Sequence, residues 1–160
     1  MKRLWFAVVL LLFAVAGVAL YKGWPLLYPS LRQVAPLDPE CDLRAGPCSG
    51  VLPDGGRITF AIKPESIPLV TPLAFEVRLE GLNASAVEID FQGVGMNMGF
   101  NRPKLVAGDG GGYYGNGMLP VCVSDAMEWE AKVLVYTSEG IVAAPFRFIT
   151  VKPGAELPTR

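Results

Sequence analysis

The chain has 160 residues, 14 Lys and Arg against 15 Asp and Glu, and a 51% apolar composition. That length holds one ordinary domain with appendages, and a net charge of -1 excludes the long-range positive field of a nucleic-acid binder. The absence of histidine excludes Ser-His-Asp and Cys-His catalytic arrangements, so the chain is not expected to be an enzyme.

Met1-Lys2-Arg3 is followed by Leu4 to Leu20, seventeen residues without a charge. This is near the lower limit for a membrane-spanning helix. Trp5 at one end and Tyr21 and Trp24 at the other fit interfacial aromatics. Two readings compete. One is an uncleaved anchor over residues 1–24. The other is a cleaved signal peptide ending at Ala14-Val15-Ala16. The anchor is favoured, because those small residues lie inside the apolar run rather than after it. Lys2 and Arg3 are the charges ahead of the span, so the positive-inside rule places the N-terminus in the cytoplasm and the rest outside. In a bacterium this is a single-pass inner-membrane protein with a periplasmic domain.

Residues 25–56 carry Pro25, Pro29, Pro36, Pro39, Pro47 and Pro53 and read as an extended tether. Within it, Cys41 and Cys48 enclose a turn-rich segment that a disulfide can close. So short a loop stabilises by about 2–3 kcal/mol on the loop-entropy model. The rival pairing joins Cys41 or Cys48 to Cys122, and the sequence leaves both open. Either way one thiol of three is odd, in a chain whose cysteines agree with an oxidising compartment.

From residue 57 the pattern changes to period two, the mark of strands with one buried face. Ile58, Phe60 and Ile62 alternate with polar or small residues, as do Leu73, Phe75, Val77 and Leu79, then Val87, Ile89 and Phe91. Residues 113–121, 128–136 and 141–151 supply further strands, with Ser138-Glu139-Gly140 as a hairpin turn. Residues 57–152 therefore predict an all-β fold, an antiparallel immunoglobulin-like β-sandwich behind one N-terminal transmembrane helix. Residues 153–160 predict a disordered polar tail.

The chemistry concentrates in one stretch. Apart from the initiator, the methionines are Met96, Met98, Met118 and Met127, with Cys122 and Trp129 among them. Met96-Asn97-Met98 sits in a glycine frame, Gly95 to Gly99. In an extended segment its two thioethers share a face. Thioether and thiolate are soft ligands that select Cu(I), whereas Zn, Ni and Cu(II) sites want imidazole. A Trp ring can lie over a bound cation, yet Trp129 also heads the core-facing series Trp129, Ala131, Val133, Val135. Methionine and free cysteine are common core fillers as well. Arg102 and Lys104, close to the Met pair in sequence, oppose a cation.

The anchor, the small β domain and the Met-x-Met with a nearby Trp resemble bacterial envelope copper proteins. The layout of about residues 1–150 is similar to the FixH-like and YtkA-like membrane-tethered β-sandwich proteins, some of which are linked to copper handling or cytochrome oxidase assembly. The Met-x-Met and Trp also resemble the CusF-like copper chaperones, which hold Cu(I) with two Met, one His and a capping Trp. That resemblance implies Met96 and Met98 as thioether ligands and Trp129 as the cap. The His has no counterpart here, so Cys122 or Met127 would replace it. The implied function is a membrane-anchored periplasmic Cu(I)-binding protein serving a copper enzyme or oxidase complex. The alternative is a metal-free interaction module that scaffolds an inner-membrane complex through an adaptable methionine surface.

Overall fold

A computed structural model describes residues 2–27, 30–152 and 154–155. The chain divides into two compact units, Met1–Ser30 and Leu31–Arg160. The first is helix α1, Lys2–Leu27, which continues past the expected boundary at residue 24. Its stretch Leu4–Trp24 is long and apolar enough to cross a membrane, a test that a signal sequence near an N-terminus also meets. Most of the expected tail, 153–160, lies outside the described residues.

The second unit is built of nine strands. They are β1 Leu31–Val34, β2 Cys48–Val51, β3 Arg57–Lys63, β4 Leu73–Glu80, β5 Ala86–Gly93, β6 Lys104–Ala107, β7 Gly112–Gly117, β8 Ala126–Thr137 and β9 Gly140–Val151. Their order is β1-β9-β8-β5-β6-β7-β4-β3-β2. The pairings are antiparallel except β1 with β9. The expected immunoglobulin-like sandwich has two separate sheets, whereas these strands form one sheet curled into a half-barrel. The reason is β6. Its Lys104 and Leu105 pair with β5, and its Val106 and Ala107 pair with β7.

The curl brings the two halves face to face. The Phe60 ring on β3 lies 5.5 Å from that of Phe146 on β9, although those strands stand six places apart in the order. Phe75 on β4 meets Phe91 on β5 at 5.1 Å. Each fully buried side chain of this size is worth about 1.5–3 kcal/mol by transfer. Gly50 on β2 shows how close the approach becomes, since a Cβ there would stand 2.9 Å from Ala144 Cβ and 3.2 Å from Ala35 Cβ. Pro145 interrupts the long run of β9 without harm. β1 pairs only with residues up to Ala143, so at Pro145 β9 is already an edge, where a missing N–H costs no ladder bond.

The segment expected as a tether is part of this unit from residue 31 onward. Ala35, Leu43 and Leu52 are buried in the core, and β1 and β2 form the two edges of the sheet. Cys41 and Cys48 are joined by a disulfide, which leaves Cys122 free and buried. The rival pairings through Cys122 are thereby corrected. Replacing both partners, Cys41→Ala/Cys48→Ala, is expected to lower the unfolding free energy by about 2–3 kcal/mol. A urea titration of the full chain in detergent checks this, and an unchanged midpoint would show that burial rather than the cross-link holds this segment.

Candidate functional site

Antiparallel pairing gathers the sulfur residues at one end of the β unit. β5 ends at Gly93, opposite Trp129 near the start of β8, and β7 ends at Gly117, opposite Leu73 at the start of β4. The loop from β5 to β6 and the loop from β7 to β8 therefore emerge together. They are tied by Asn101, whose Nδ2 donates to the Met118 carbonyl at 3.1 Å, and the first is fastened to β8 by the Val94 amide, which donates to the Glu128 carbonyl at 3.0 Å. Between them, Asn97 Oδ1 accepts from the Gly99 amide at 2.8 Å, a side-chain turn that stops the strand after Gly93. Met96 and Met98 thus lie in an irregular loop, not in the extended segment that strand parity assumed.

The loop nevertheless delivers them to one place. The Cys122 thiol donates to Met96 Sδ with the sulfurs 3.7 Å apart. Met96 is 42% exposed and Cys122 only 7%, so the thioether covers the thiol from the solvent side. Met98 and Met127 meet over Gly93. A Cβ at Gly93 would stand 2.1 Å from Met127 Cε, 2.5 Å from the Met96 carbonyl oxygen and 3.2 Å from Met98 Cγ. Met98 packs on the core while Met127 belongs to it. Met118 is exposed on the second loop. Trp129 takes the core role that competed with cation capping. It is fully buried, and its Nε1–H donates to Thr150 Oγ1 at 2.9 Å.

The electrostatic objection to a cation is largely cancelled. Arg102 Nη2 lies 3.1 Å from Asp90 Oδ2 with both side chains nearly buried, and Lys104 Nζ lies 3.5 Å from Glu88 Oε1. Glu88 also accepts from the Tyr136 hydroxyl at 3.0 Å. Burial first, then that hydrogen bond, raises the Tyr136 phenol above its ordinary value. Among the described residues, no three Cys, Asp or Glu side chains cluster as metal ligands, so any ion at this end would rest on thioethers beside one thiol. No family model, curated protein or solved structure matches this chain.

Composition alone singled out the sulfur residues that the fold gathers at this end. Gly93 is legible in the sequence as a glycine that interrupts an otherwise regular strand, but the room it leaves for the Met127 methyl and the Met96 carbonyl is seen only in the fold. Gly93→Ala forces the Met96 carbonyl and the Met127 methyl aside, at a cost of about 1–3 kcal/mol for overpacking. It is expected to open the contact over Cys122, so that the native thiol reacts faster with a disulfide reagent. An unchanged reaction rate would show that Gly93 does not position the cluster.

Proposed function

We propose that this protein is a membrane-anchored Cu(I)-binding chaperone of the bacterial envelope that hands its ion to a copper enzyme or an oxidase complex. α1 is the anchor, with Lys2 and Arg3 holding the N-terminus in the cytoplasm and the β unit in the periplasm. The Cys41–Cys48 disulfide suits that oxidising side. In this reading the curled sheet serves as the frame of a FixH-like or YtkA-like layout.

One observation carries the proposal, the 3.7 Å between Met96 Sδ and Cys122 Sγ. Two sulfurs at that spacing, each about 2.3 Å from one ion, subtend about 107°, close to the tetrahedral angle. The donor set is soft throughout, as Cu(I) prefers. Met96 and Cys122 supply the spaced pair, and Met98 and Met127, gathered over Gly93, stand ready to complete the shell. Binding replaces the thiol proton of Cys122 by the ion, because the thiolate is the ligand. The exposed side of Met96 leaves a route for an incoming ligand of the acceptor.

The test is a competition titration of the full chain in detergent, reduced and anaerobic, against a chromophoric Cu(I) chelator. Met96→Ser/Met98→Ser is expected to weaken binding by about 100-fold or more, beyond the ~10–100-fold that loss of an outer-shell partner costs. Cys122→Ser is expected to weaken it as well, because the thiolate donor is lost. Wild type and both variants competing equally would end the copper reading.

A further inference from the structure

The same end of the β unit is unusually apolar. Phe100 is 67% exposed and Val123 82% exposed, and Val94, Met96, Met118 and Val121 join them on the two loops. Together they offer on the order of 500 Å² of apolar surface, a size at which exposed patches mark interaction sites. The charges nearby are paired among themselves. Lys152 Nζ bonds Asp125 Oδ1 at 3.2 Å, Arg147 Nη1 lies 3.7 Å from Glu128 Oε1, and Arg102 faces Asp90. The end is thus apolar and close to neutral.

From this we infer that the two loops form a docking face for a transient protein partner, one whose own apolar, near-neutral surface surrounds a methionine or cysteine. The inference rests on the Cu(I) reading of the sulfur site. Neutrality argues against an anionic lipid surface, which is recognised by clusters of Lys and Arg. Area argues against a second copy, because a stable interface needs about 800 Å² from each partner. A small apolar contact around an ion held by few ligands suits a partner that must bind, exchange one sulfur for another and leave. The transfer is a ligand substitution. The partner's thioether or thiolate donates an electron pair to Cu(I) as a Met96 or Cys122 bond breaks. Copper keeps its oxidation state, and Cys122 regains a proton from solvent.

The test uses the full chain in lipid nanodiscs and two synthetic acceptor peptides. Both carry one Met-x-x-Met pair and no net charge. The first flanks the pair with Leu and Val, the second with Ser. From Cu(I)-loaded wild type, the apolar peptide is expected to draw copper about tenfold faster, the advantage of burying about 55 Å² more apolar surface. Phe100→Ser/Val123→Ser should keep Cu(I) affinity and the unfolding midpoint, and lose that advantage. Equal rates for the two peptides, or a preference that survives in the variant, overturn the proposal. If the wild type takes up no Cu(I), the sulfur-site reading fails at the loading step. Anisotropy titrations of the labelled, metal-free peptides then decide the face alone, where a preference abolished by the variant upholds it and no preference sinks it. Self-association that the variant abolishes would assign the face to a second copy. A peptide preference seen in detergent but lost in nanodiscs would assign it to lipid. Either of these overturns the proposal.

Discussion

Four residues hold the β unit together as one sheet. Lys104 and Leu105 complete the ladder of β5, and Val106 and Ala107 complete that of β7. The curl follows from this junction, and the curl lets Phe60 meet Phe146 and Phe75 meet Phe91. The junction also decides where the chemistry can lie. A strand of four residues cannot match the length of its neighbours, so the chain arrives at β6 through a long loop, residues 94–103, and leaves β7 through another, 118–125. Both open at the same end, and both are irregular enough to carry side chains that a regular ladder would turn inward or outward by rote.

The parts legible in the sequence were those with repetition. β3, β4, β5 and β9 alternate over seven residues or more, and their spans were read nearly to the residue. β1, β2 and β6 were missed for a common reason. Each has four residues, too few for a period to declare itself, and β1 and β2 also lie among prolines that argue for extended chain. The tether reading failed on the same point, since proline density reports local stiffness and not whether Leu43 and Leu52 find a core. β7 was read too long because Met118 and Leu119 continue its apolar character after its hydrogen bonds have ended. The N-terminal apolar helix was legible from its length, whereas the spacing of Cys41 and Cys48 permitted their disulfide without choosing it over the rival pairings.

The candidate site was legible in composition but not in geometry. Four methionines beyond the initiator, one odd cysteine and no histidine name a class of ligand. They do not say which sulfurs meet. Strand parity paired Met96 with Met98, whereas the fold places Met96 on Cys122 and Met98 beside Met127. The difference arises after Gly93, where the Asn97 turn replaces pairing with neighbouring strands by a contact internal to the loop. Trp129 followed the opposite course. Its parity with Ala131 and Val133 was the better guide, and its indole is used in full by the core and by Thr150.

The covering of Cys122 by Met96 has a chemical consequence. With Cys41 and Cys48 bound to each other, Cys122 is left as a free thiol, buried behind Met96. An oxidant arriving from solvent meets the half-exposed thioether first. Methionine stops at the sulfoxide, a step that repair enzymes reverse, whereas a thiol can continue to acids that they do not. Of the two touching sulfurs, the one presented to solvent is therefore the one whose first oxidation product is reversible.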